Sequence, residues 1–131
     1  MPATSVEEAV YNLLTADAAF VTAVSNVYWR SAPSGATLPY VTFDQVDDPH
    51  TKELLAYYGG EARLQFNVFS ESPSTGLEMS QRMVEKARDI RGIQNGLRLH
   101  GRVVNSLTQP ANVDGIFHRT IDVIVRYTQE A

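Results

Sequence analysis

The sequence predicts an α+β protein, with a mainly antiparallel sheet of about four to five strands and two main helices packed on one face. Three observations carry this. The elements read in the order helix, strands, helix, strands. The strand segments are long and alternate apolar with polar residues, which suits a sheet with one covered and one solvated face. The helices are too few to cover both faces of a parallel sheet. At 131 residues the chain is expected to fold as one domain spanning 1–131, long enough to bury a core without staples.

The first helix is signalled by Ser5-Val6-Glu7-Glu8, a capping box in which the Ser5 hydroxyl accepts from the Glu8 amide and the Glu8 carboxylate reaches back. Both acids also suit the positive end of the helix dipole. Val6, Ala9, Val10, Leu13 and Leu14 then fall on one stripe. Asp17 caps a second short turn with Phe20, Val21 and Val24 facing inward.

Val27-Tyr28-Trp29 reads as a short strand, with Tyr28 and Trp29 in or near the core, followed by the loop Ser31 to Ala36. Strand character resumes over Pro39 to Val46, which is rich in β-branched and aromatic residues. Asp47, Asp48 and Pro49 break it, Gly59-Gly60 marks a turn, and Thr51 to Tyr58 between them fits either a helical turn or a long hairpin loop. Glu61 to Ser70 is the clearest strand, because Ala62, Leu64, Phe66 and Val68 alternate with Arg63, Gln65 and Asn67.

Ser72 or Ser74 caps the second long helix, and Pro73 suits its first position if Ser72 is the cap. Leu77, Met83, Val84, Ala87 and Ile90 form the expected buried stripe, with Gly92 as the stop. Asn95-Gly96 is a turn, Leu97 to Leu107 holds one strand or a broken pair, and Pro110 to Gly115 is a loop. Ile116 to Tyr127 alternates again, with Phe117, Ile121, Val123, Val125 and Tyr127 on one face and His118, Thr120, Asp122 and Arg126 on the other.

Composition narrows the chemistry. With 44% apolar and 20% charged residues the chain is globular by composition. It has no cysteine, which excludes disulfides, thiol catalysis and zinc–thiolate sites. Met1 to Ser5 carries no basic stretch of the kind that opens a signal peptide, and no apolar run approaches membrane-spanning length. A net charge of −4 argues against a phosphate-backbone binder. Two basic clusters, Arg82, Lys86, Arg88 and Arg91, then Arg98 and Arg102, read as a solvated helix face and a polar strand or loop.

No catalytic, cofactor or metal set emerges. Asp48-Pro49-His50 places a carboxylate near a histidine but brings no further ligand, and His100 and His118 have none at metal spacing. No serine lies in a nucleophile elbow, and no glycine motif suits a phosphate. Tyr57 and Tyr58, in an otherwise polar stretch, are either interface anchors or residues folded back on the core. The expected mode of action is therefore assembly, with Asp47, Asp48, His50, Tyr57 and Tyr58 as candidate interface residues.

The ordered set of segments resembles the tail terminator, or tail-completion, proteins of long-tailed bacteriophages. The resemblance is carried by Leu13 to Phe20, Val27-Tyr28, the stretch Ala32 to Val41, Arg63 to Ser70 feeding into the long helix, and Arg119 to Tyr127. It implies an α+β protomer that forms a ring, usually a hexamer. Such a ring caps the tail tube, ends its polymerisation and meets the head–tail connector protein, in the tail-neck region of the virion after assembly in the host cytoplasm. DNA passes through without specific binding, and no membrane is involved. The family supplies no catalytic residues to carry over. A ring needs two different patches that meet around a closed rotation, and the Asp47–Gly60 segment is the one expected to supply ring or tube contact. Two other readings are another neck or head–tail joining protein, and a small-ligand-binding domain of ferredoxin-like build.

Overall fold

Residue alternation fixes which side of each strand is dry. Ala62, Leu64, Phe66 and Val68 are fully buried, as are Ile121, Val123 and Val125 three strands along in sequence. The computed structural model describes residues 6–46, 60–94, 97–109 and 116–129. The elements run α1 (Val6–Thr15), α2 (Ala18–Val24), β1 (Val27–Trp29), β2 (Tyr40–Gln45), β3 (Gly60–Ser70), α3 (Pro73–Arg88), β4 (Arg91–Gln94), β5 (Leu97–Gln109) and β6 (Phe117–Gln129).

The strands form one six-stranded sheet in the order β1-β2-β3-β6-β5-β4. The pairing is antiparallel except between β1 and β2, which run parallel. The α+β class and the mainly antiparallel sheet stand; the strand number is corrected from four to five up to six, and three helices replace two main ones. The added strand is β4, only four residues long and too short for alternation to reveal. β5 is one strand, not a broken pair, with a bulge between Val103 and Asn105 where its register with β6 shifts.

α1 lies against both edge strands, β1 and β4, although they stand at opposite ends of the sheet order. The sheet therefore curls around its helices, and the bulge in β5 is a common device for such bending. α3 packs on β3, β5 and β6. Val10 and Leu14 of α1, Phe43 of β2, Phe66 of β3, and Met83 and Ala87 of α3 are fully buried between these layers.

The helix ends follow local chemistry. Asp17 caps α2 by accepting from the Phe20 amide at 3.1 Å, as expected. Ser72, not Ser74, caps α3 by accepting from the Thr75 amide, which leaves Pro73 in the first turn where its missing N–H does no harm. Gly92 is not the helix stop: α3 ends at Arg88 with Asp89 as its cap, and Gly92 sits in β4 at φ +97°. Leu77 is 49% exposed, because the stripe actually runs through Gly76, Met79, Met83 and Ala87. The helix passes so close to β6 that a Cβ on Gly76 would overlap the Phe117 ring, which turns Leu77 out. Ile90 is buried as expected, but from the turn after the helix.

Candidate assembly surfaces

The five residues expected to form an interface, Asp47, Asp48, His50, Tyr57 and Tyr58, lie outside the described residues, as does the Ser5 cap. Their anchors are described. The chain leaves β2 at Val46, which is half exposed and whose amide donates to the Arg63 carbonyl at 2.9 Å, and it returns at Gly60 opposite Tyr127.

The outer face of the sheet, away from the helices, is graded. At the end where β2 begins, Tyr40, Phe69 and His118 stand directly opposite one another across β2, β3 and β6. Tyr28 of β1 meets Tyr40 edge-on at 5.6 Å, Tyr40 meets Phe69 at 5.3 Å, and His118 stacks on Phe69 at 4.5 Å. The next row is Thr42, Asn67 and Thr120. Asn67 Oδ1 accepts from the Thr120 hydroxyl at 3.2 Å and lies 2.9 Å from His118 Nε2, an arrangement that puts the imidazole proton on Nε2. Burial holds the His118 pKa below the usual histidine range.

Toward the other end of the same face the rows become basic. Arg63 stands opposite Ile124, which stands opposite Arg102; Glu61 opposes Arg126, which opposes His100, which opposes Arg91. The last row holds Thr128, Arg98 and Ile93. Arg63 pairs with Asp122 at 3.0 Å, and Arg126 with Glu61 at 3.0 Å. Strand pairing thus redraws the two basic clusters seen in the sequence. Arg91 joins Arg98, Arg102 and Arg126 on the sheet, while Lys86 and Arg82 point elsewhere and pair with Asp17 and Glu85. The signal that marks this face is Arg98, His100, Arg102 at every second residue, which is strand spacing.

His100 lies within β5, and the glycine after it marks a close crossing of backbones and no turn. The end of α3 crosses so close that a Cβ on Gly101 would stand 2.5 Å from the Ala87 carbonyl oxygen.

On the helix side, a groove of about 430 Å³ runs between α2 and α3. Ala19, Phe20 and Ala23 supply its apolar part, and Glu78, Glu85 and Asp89 its acids. Lys86 crosses it to Asp17 at 2.7 Å, and that bond together with the Phe20 amide lowers the Asp17 pKa. Near β1 a further polar contact is buried. Glu7 accepts from the Trp29 indole N–H at 3.0 Å and the Gln45 amide at 3.3 Å, and pairs with Arg30 at 3.5 Å. Burial alone would raise the Glu7 pKa, but its bonds to Trp29 and Asp44, the Arg30 charge and the Gln45 amide outweigh that and leave it lowered. Glu7 was expected only to suit the helix dipole. Its spacing of three and seven residues from Val10 and Leu14 places it on the buried stripe, where it ties α1 to the ends of β1 and β2.

Among the described residues no group of three or more His, Asp or Glu is placed to hold a metal ion, and no helix is long and apolar enough to cross a membrane. The sheet edges are short. β1 has three residues, and β4 has four with a kink at Gly92, so the faces offer more surface for partners than the edges do.

Comparison with known proteins points to a protein of phage tails. Residues 8–91, more than half of the chain, match the family described as Tail completion protein gp17. The fold is similar to a chain in a solved structure described as the virion of a native gene transfer agent (GTA) particle. The TM-score is 0.67 at 17% identity, covering 97% of this chain and 96% of that one. Among curated proteins, none matches at a significant level.

Proposed function

This chain belongs to the tail completion protein gp17 family, and from that premise we propose that it forms a ring, capping the tail tube, ending tail polymerisation and joining the tail to the head connector. A structural role in a phage tail follows from the family itself; the ring, its six-fold closure and its two axial partners are the finer reading. The observation that supports it most is the fold likeness to a virion chain over nearly the full length of both chains. A protomer with the same arrangement of elements from end to end can be placed in an assembly in the same way. The graded outer face and the groove on the helix side give this chain two unlike surfaces, as a closed head-to-tail ring requires. DNA would pass through the ring without sequence-specific contact.

The test is tube growth. Added to polymerising tail tubes, the protein should stop elongation and leave a ring of density, with a central hole, at one end in negative-stain images. Tubes that grow to the same lengths with bare ends would sink the reading. Binding to the connector without binding to tubes would move the protein to another place in the neck.

A further inference from the structure

We propose that the arginine-rich end of the outer sheet face of one copy seats in the acidic α2–α3 groove of the next copy, so that these two surfaces form the ring's repeating contact. The proposal rests on the ring reading above and names the faces that meet.

Three observations carry it. The first is charge. Among the described residues of the sheet face, Arg63, Arg91, Arg98, Arg102 and Arg126 share the surface with three carboxylates, Asp44, Glu61 and Asp122, a surplus of two positive charges in a chain whose net charge is −4. The groove is the converse. Asp17, Glu78, Glu85 and Asp89 outnumber Arg82 and Lys86 by two, and both of these cations are held within the groove, by Glu85 at 3.6 Å and Asp17 at 2.7 Å. The second is shape and polarity. Ile93 is 56% exposed and stands opposite Arg98, an apolar knob among the arginines; the groove offers Ala19, Phe20 and Ala23 between its acids. An apolar centre within a charged rim is the usual anatomy of a specific interface. The third is placement. The helices cover the inner face of the sheet, so the groove opens on the side away from the arginines. The arginine face of one copy cannot reach its own groove, so the two surfaces can meet only between copies, head to tail, the arrangement that closes a ring when the rotation fits.

The experiment is a charge swap. Arg98→Glu with Arg102→Glu reverses the sheet face, and Glu78→Lys with Glu85→Lys reverses the groove; all four positions are exposed, so each variant should keep the wild-type circular dichroism and melting temperature. Assembly is read by light scattering and negative-stain imaging, alone and on tail tubes. Each two-residue variant should need at least about tenfold more protein to assemble, because like charges then face each other. The chain carrying all four substitutions should assemble again, since its two faces are complementary with the signs exchanged. Raised salt should weaken wild-type assembly. Two-residue variants that form rings as readily as wild type would overturn the pairing and leave the ring standing. Failure of the four-residue variant to recover would overturn it too. Sheet-face variants with intact rings but impaired DNA retention would overturn it by placing the arginines against DNA. A wild-type chain that forms no ring, alone or on tubes, would overturn the ring reading and this pairing together.

Discussion

The two faces of the sheet are written by alternate residues of the same strands, yet they answer to different physics. On β3 the inward residues Ala62, Leu64, Phe66 and Val68 are wholly buried, whereas Arg63, Gln65 and Asn67 between them spread from ion pair to amide network. The inner face has one task, to remove apolar area from water, and any residue of similar volume serves nearly as well. The outer face is specified residue by residue: Asn67 bonds Thr120 and His118, and Asp122 holds Arg63. Stability is concentrated on the first face and specificity on the second. A substitution on the inner face should therefore unfold the protein before it alters assembly, and one on the outer face the reverse.

The largest effect is expected from Phe66→Ala, which empties a fully buried site stacked on Phe43 at 5.1 Å. A loss of about 3–5 kcal/mol in denaturant unfolding is the usual cost of such a cavity. A loss near zero would mean that the inner face does not carry the fold. Gly101→Ala should cost less, about 1–3 kcal/mol, by forcing α3 away from β5. Unchanged stability would show that the crossing has slack. The smallest effect belongs to the outer face and depends on pH. Because burial lowers the His118 pKa in the folded protein, the unfolded chain takes up this proton first as pH falls. The folded state should then lose stability as pH drops below the ordinary histidine value of about 6.5, until the lowered folded pKa is passed. His118→Gln removes that loss, so unfolding curves of variant and wild type should diverge between neutral and mildly acidic pH. Parallel profiles would count against a titrating His118.

Much of the inner face was legible in the sequence, and little of the outer. Period-two runs in β3 and β6 mark the core directly, and Asp17, Ser72 and Pro73 mark helix starts through side chains that act on their own backbone. What escaped depends on neighbours distant in sequence. Leu77 reads as core until the close passage of Gly76 over Phe117 is known. β4 is too short to alternate, and Gly92 resembles a helix stop because glycine serves both roles. The arginine face is assembled from β3, β4, β5 and β6, so no single window of the sequence contains it. The interface residues expected between 47 and 60 lie outside the described residues.

The position of α1 against both edge strands has a consequence for synthesis. α1 leaves the ribosome well ahead of one of the strands it lies against: β1 follows it closely, but β4 begins only at Arg91. Until then the helix has one of its two lateral supports, and part of the stripe containing Val6, Val10 and Leu14 waits for partners. The curled sheet is thus completed late, because β4 pairs only with β5, which follows it in the chain. A nascent chain stalled before β4 would carry an open sheet and a partly bare helix at once. Those are the surfaces on which chaperones and premature association act.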